Sequence, residues 1–378
     1  MKTNSVLALL LVCFVSDAVS ANAGEQGPVY PEYKANETLV FRSGSWTREG
    51  KELTFHRDKF GVVHYRIPDL SRMTDGRLVA TVVCRCSKDG DSADSTSFFA
   101  VSKDEGKTWE KITFNTGYEN EDSRPATDFP LTERTQETQL VWYPAMKKFV
   151  AVYLTNAKAW FTTSTDLRSW SEPIAAEMDM PEVSGYWPSP TSLQLDKDGS
   201  LLFAITGSLK ESAGGGRMAR LVWTKDLETF EVSPIMPVKG TETAAIPISG
   251  GKYFVTTRIP PKRLNMTYDR KSKQWSEATP FPAPHYWRCS VDLVSDGKFL
   301  YLATPTAGRT QGHLYRSADE GVTWDEVAQL NGDDHFGYSS LVVLENGDIG
   351  ILAERARQKG RQQSVLADIV FHRIPVKP

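Results

Sequence analysis

The chain is poor in cysteine. Of its four cysteines, Cys13 lies in an apolar N-terminal stretch, and only Cys84, Cys86 and Cys289 follow. That odd count argues against a disulfide framework. A Cys-x-Cys pair with no histidine at ligand spacing is a poor metal site, so the three thiols read as packing residues. No excess of charge is present either. The 44 Lys+Arg and 47 Asp+Glu leave a net charge of −3, which gives no basic footprint for nucleic acid or an anionic membrane surface. Beyond Val15 there is no long hydrophobic run, and the run Val6–Val15 is too short to span a bilayer. Helical periodicity is nearly missing as well, which weighs against an α or α/β class.

The N-terminus, MKTNSVLALLLVCFVSDAVSANAGEQG, has one lysine, an apolar run and then small residues. This is the pattern of a secretory signal peptide cleaved near Ala21–Ala23. Residues 1–23 are therefore expected to be the signal, and 24–378 one exported, monomeric domain without membrane insertion. Asn36-Glu-Thr38 and Asn265-Met-Thr267 are glycosylation sequons.

The rest of the chain is rich in aromatics, with 10 Trp and 13 Tyr, and in short alternating strands bounded by tight turns. That is an all-β signature. One unit recurs: strand, tight turn, apolar strand. Its turns fall at Gly76, Lys147, Gly199, Gly251, Gly297 and Gly347, spaced by 71, 52, 52, 46 and 50 residues. The Asp-Gly, Gly-Gly and Asn-Gly pairs supply the positive φ of hairpin turns. A second motif follows the first five hairpins. Ser102–Trp109 and Ser317–Trp324 both read S-x-D-x-G-x-T-W, an Asp box. Ser164–Trp170, Thr224–Phe230 and Thr267–Trp275 are worn copies. Short Asp and Ser side chains cap turn N–H groups, so the boxes read as structural, not catalytic. Six units of about 50 residues, each too small to bury its own core, predict a six-bladed β-propeller. Residues 110–135, rich in Asp, Glu and Thr, read as a surface excursion.

The hairpin register predicts which residues share one end of the sheets. Nine or ten positions before the turns stand Arg66, Glu137 or Thr138, Pro190, Glu242, Arg288 and Tyr338. A short way after them stand Arg85, Tyr153, Gly207, Arg258, Arg309 and Glu354. In a propeller these positions gather at one mouth of the central channel. Several arginines facing glutamates and a tyrosine describe a pocket for a small anion with chemistry beside it.

At these residues the chain resembles the exo-α-sialidases, six-bladed propellers with Asp boxes, over nearly all of its mature length. HYRIPDL (64–70) matches the family's Tyr/Phe-Arg-Ile-Pro motif. TETAAIPISGGKYFVTTR (241–258) resembles its Glu-to-Arg stretch, and FGYSSLVVLENGDIGILAE (336–354) its Tyr-to-Glu stretch. The resemblance implies hydrolysis of terminal α-linked sialic acids with retention. It implies sialylated glycans as partners, and no cofactor or metal. Arg66, Arg258 and Arg309 would grip the substrate carboxylate, with Arg288 as the competing third arginine. Tyr338 would be the nucleophile, Glu242 its base, and Glu354 would orient Arg66. Asp91 would be the acid/base, with Asp89 and Asp94 as competitors, and Arg85 would line the pocket. A neutral phenol suits an anomeric carbon bearing a carboxylate, because a carboxylate nucleophile would meet like charge. Asp69 departs from the small apolar residue usual after Arg-Ile-Pro, and Tyr186, Trp187 and Trp287 are the candidates to line an N-acetyl pocket. Rival readings are a lectin-like propeller, a trans-sialidase, a hydrolase for the deaminated sialic acid, and an arabinanase-like hydrolase. A neutral pentose would leave three guanidiniums nothing to hold.

Overall fold

In the computed structural model the six turn positions do what their residues allow. Gly76, Lys147, Gly199, Gly251, Gly297 and Gly347 all have positive φ, between 53° and 91°. The structure describes residues 33–376 except 50–51, 89, 92, 114–128, 130–134, 286–287, 333 and 357–365. The expected signal peptide, most of the 110–135 excursion, Asp89 and Trp287 lie outside the described residues.

The strands pair antiparallel with their sequence neighbours. His64–Arg72, Leu78–Arg85, Ser95–Ser102 and Glu110–Ile112 make one four-stranded sheet, and Gln136–Tyr143, Lys148–Thr155, Lys158–Ser164 and Ile174–Ala175 another. Two five-stranded sheets follow, built on Leu201–Leu209 and on Lys252–Ile259. An eight-stranded sheet holds the remaining large strands, from Leu293–Ser295 to Asp368–Ile374. Its edge is the N-terminal strand Glu37–Phe41, paired to Asp368–Ile374. Apart stands a two-stranded hairpin, Ser45–Glu49 with Glu52–His56. The arrangement is all-β and propeller-like.

The core lies between sheets, not inside one sheet. Apolar faces meet in cyclic order. Phe99 of the first sheet packs with Leu140 and Phe149 of the second; Phe161 of the second with Phe203 of the third; Trp223 of the third with Tyr253 and Tyr268 of the fourth. Phe254 packs with Leu302 of the eight-stranded sheet, and Leu352 and Phe371 of that sheet return to Tyr65 and Phe98 of the first.

The Asp boxes tie outer turns together. In the first, Ser102 Oγ donates to Asp104 Oδ1 at 2.8 Å, and Thr108 donates its N–H and hydroxyl to the Asp104 carboxylate at 2.9 and 2.6 Å. The second repeats this at Ser317, Asp319 and Thr323. In two of the worn copies one leucine, Leu167 or Leu227, takes the positive φ and is buried, and in the third Lys273 takes it. At the Asp box glycine this is closed off: a Cβ on Gly106 would lie 2.0 Å from the Phe371 ring.

Candidate active site

Four strands, His64–Arg72, Gln136–Tyr143, Thr241–Pro247 and His335–Val343, carry a register break near their N-terminal ends. The breaks fall between Arg66 and Asp69, Gln136 and Gln139, Thr241 and Thr243, and Phe336 and Ser339. Such bulges re-aim side chains beside sites. Here they place Ile67, Glu137 and Glu242 at φ of 50°, 55° and 41°, conformations that cost energy for residues with a Cβ. At the fourth break stands Gly337, where a Cβ would lie 2.1 Å from Glu354 Oε2.

These breaks bring most of the sequence-derived residues together. Arg66 is buried, and its Nε donates to Glu354 Oε1 at 2.7 Å. The Ile67 amide donates to the same oxygen at 2.9 Å, and the Tyr338 amide to Glu354 Oε2 at 3.3 Å. Arg309 Nη1 stands 3.9 Å from Glu354 Oε2. Arg66 and Arg309 lie over the Tyr338 ring at 5.6 and 5.1 Å. The Tyr338 hydroxyl donates to Glu242 Oε1 at 2.6 Å, and Arg258 donates to that same oxygen. Three arginines from three parts of the chain thus surround one tyrosine and two glutamates.

Burial alone would push the Glu354 carboxyl up, but the Arg66 and Arg309 guanidiniums outweigh it and hold its pKa at about 2. Glu354 is therefore a fixed anion. Tyr338 goes the other way. Burial, then the Glu242 charge, raises its phenol well above the usual value, while Arg309 and Arg258 pull it back. It is a neutral phenol that needs a base, and a carboxylate sits at hydrogen-bond distance.

Arg85 is buried, and its Nη2 contacts Asp91 Oδ1 at 2.5 Å. The Asp91 side chain is itself 85% exposed. The Gln136 side chain donates to the Asp91 carbonyl. Asp94 is partly buried, and its amide is bound by the Ser87 hydroxyl. Arg288 is exposed, and it is Arg309 that faces Tyr338 and Glu354. Tyr153 stays out of the site and packs on Phe129 between the first two sheets. Tyr186 likewise turns into the apolar layer between the second and third sheets, its hydroxyl bonded to the Ala176 carbonyl. Trp187 lies under Arg217 at 4.9 Å. Asp69 points away from the arginines. Its Oδ2 accepts from the Leu140 amide at 2.9 Å, and it lines a separate cavity of about 630 Å³ with Asp292.

Two residues escaped the sequence reading. Glu137 was a register candidate without a role. It is half-buried, but its Oε2 is buried and unpartnered among the described residues, and desolvation together with the Glu242 and Asp91 charges pushes its pKa well above the ordinary carboxyl range. Arg263, fully buried behind Glu242 and Arg258, was not singled out. Its only signal was its place opposite Arg258 across a short turn. Among the described residues no group of three or more His, Cys, Asp or Glu is placed to hold a metal ion.

Residues 130–351, more than half of the chain, match the BNR repeat-like domain family. The chain belongs to that family. Its fold is similar to that of the Hadza microbial sialidase Hz136, with a TM-score of 0.67 and 21% identity over 83% of this chain and 66% of that one. It is also similar to the Trypanosoma rangeli sialidase, with a TM-score of 0.66 and 16% identity over 90% and 60%. The NanB sialidase of Streptococcus pneumoniae matches with a TM-score of 0.64 and 14% identity over 85% and 70%. The chain thus spans less than two thirds of the length of the first two. No curated protein matches the chain.

Proposed function

We propose that this chain is an exo-α-sialidase that hydrolyses terminal α-linked sialic acids with retention. The observation that carries this is the Tyr338 hydroxyl bonded to Glu242 at 2.6 Å beneath three arginines. A guanidinium cluster suits a carboxylate, and a phenol paired with a base suits attack at a carbon already bearing negative charge. Arg66, Arg258 and Arg309 hold the sugar carboxylate. The Tyr338 oxygen attacks the anomeric carbon as its proton passes to Glu242. The bond to the glycosidic oxygen breaks, and that oxygen takes the Asp91 proton. Water then attacks the same carbon and gives its proton to Asp91. The tyrosine oxygen leaves and recovers its proton from Glu242. Arg85 lies behind Asp91 and sets its position, and Glu354 fixes Arg66.

The same reading includes a six-bladed propeller. The eight-stranded sheet is crossed at its middle by one pair, Thr310 with His335, and splitting it there leaves two four-stranded groups beside the four smaller sheets. Sialylated glycans as substrates and export directed by residues 1–23 belong to the proposal too. Among the similar structures, the Trypanosoma rangeli sialidase is described with 2,3-difluorosialic acid as a covalent intermediate, and with the corresponding deaminated difluoro sugar. Incubating this protein with 2,3-difluorosialic acid tests the chemistry. The mass of the intact wild type should rise by one sugar, mapped to the peptide carrying Tyr338, and Tyr338→Phe should stay unmodified. An adduct on another residue, or none on protein that binds sialic acid, overturns the tyrosine mechanism.

A further inference from the structure

Arg263 has no part in the chemistry above, yet it is wholly buried. It lies in the strand Lys262–Asp269, opposite Arg258 in register. A buried cation with a single bond is costly to desolvate and calls for a reason. Nη2 of Arg263 donates to the Cys289 carbonyl at 2.5 Å, while Nε and Nη1 have no partner among the described residues. Burial pulls its pKa down to about 10, so it stays cationic at neutral pH. The carbonyl just before, that of Arg288, accepts from Arg309 Nη2 at 2.9 Å. Two arginines therefore clamp consecutive carbonyls of one turn.

What that turn carries explains the clamp. Cys289 is fully buried, and its side chain packs in a small cluster with Ile67, Val83 and Tyr338. Ile67 is the bulge residue that places Arg66, and Tyr338 is the phenol on Glu242. Burial raises the Cys289 thiol to about 11, so it is a neutral packing group, not a nucleophile. The geometry points to Arg263 as a positioning residue for Tyr338, acting through Cys289. It fixes the Cys289 backbone, which seats the thiol against the phenol ring and sets the reach of the hydroxyl to Glu242. This rests on the proposed role of Tyr338.

The test uses Arg263→Met, Arg263→Lys and Cys289→Ala in the full chain, with two readouts. The first is kinetic. Arg263→Met should lower kcat about tenfold to a hundredfold, the scale expected for a misplaced reacting group, with KM changed less than about twofold because the three substrate-binding arginines stay. Arg263→Lys should recover part of the loss, and Cys289→Ala should lose kcat in the same sense. The second readout needs no substrate. Cys84, Cys86 and Cys289 are all buried, so none should react with a thiol reagent in the folded wild type. Arg263→Met should expose Cys289 alone, with Cys84 and Cys86 reporting that the fold is intact. Protection of Cys289 in Arg263→Met overturns the clamp. Unchanged kcat in Cys289→Ala overturns the route through Cys289, even if Arg263→Met fails to fold. An inactive wild type would sink the functional reading, while the labelling pattern would still decide the clamp.

Discussion

At the scale of single residues, the arginine–glutamate pairs set the electrostatics of the site. Glu354 accepts from the Arg66 side chain and from two backbone amides, and its pKa is held at about 2 against an ordinary 4.5. A depressed folded value means stability that is present above 4.5 and lost as pH falls toward 2. Glu354→Gln should therefore lower the melting temperature most at neutral pH. The gap to wild type should narrow by about pH 3, where the wild type begins to lose the same charge. A gap independent of pH in calorimetric scans would show that the carboxylate charge is not what holds Arg66. Arg66, Glu242, Tyr338 and Glu354 were legible in the sequence because each lies at a fixed distance from a glycine turn, so register alone gathers them. Glu137 was not, because alternation could not choose between it and Thr138. A bulge decides that choice, and a bulge answers to contacts from other sheets. Arg263 was hidden for another reason: five residues after Arg258 and beside a turn, it reads as a solvated charge, whereas in the fold it is fully buried and bonded to the distant Cys289 carbonyl.

At the scale of elements, hairpins and Asp boxes were the most legible parts, since each is closed by bonds within a few residues. The box aspartates show this in their chemistry. Asp226, bonded by the Thr229 hydroxyl and by the amides of Glu228 and Thr229, has its pKa lowered to about 2. Asp104→Ala removes three such bonds, each worth about 1 kcal/mol or less net for a group this near solvent. A fall of a few degrees in melting temperature with unchanged kcat in the folded fraction is expected. Lost kcat at unchanged melting would give the box a part in catalysis. Gly106→Ala should cost more than Asp104→Ala, because it combines a φ of 83° with a Cβ 2.0 Å from the Phe371 ring. Equal melting temperatures would mean that the ring moves aside without penalty. The strand-end bulges carry the site residues but left little local mark in the sequence: Pro68 and Gly337 lie in two of the breaks, and neither of the other two contains a proline or glycine.

At the scale of the whole molecule, the all-β, ring-like packing was legible from repeat length and from the absence of helical periodicity. How the ring is closed was not, because closure joins residues more than 300 positions apart. The strand Glu37–Phe41 completes the sheet begun by the last strands, and Glu37 pairs in register with His372. The Glu37 carboxylate also meets His372 Nδ1 at 3.2 Å and Arg355 Nη2 at 3.6 Å, with all three side chains buried. Burial would raise its pKa, but His372, the Lys34 amide and Arg355 bring it down to about 2. Removing one member of such a group strands the others, at a cost of about 3–5 kcal/mol. Glu37→Ala should lower the denaturant midpoint clearly without a change in KM. A midpoint within error of wild type would mean that closure relies on backbone pairing and apolar packing alone.

The proposed chemistry centres on Tyr338. The measurement that tests it most directly is release of 4-methylumbelliferone from its α-N-acetylneuraminic acid conjugate and from the deaminated analogue, by wild type and by Tyr338→Phe. The prediction is cleavage of at least one of the two conjugates by wild type, and turnover lost in the variant while it still folds and binds sialic acid. The ratio between the two substrates then gives the preference at C5. Near-wild-type turnover by Tyr338→Phe, or no cleavage of either conjugate by folded wild type that binds sialic acid, would contradict it.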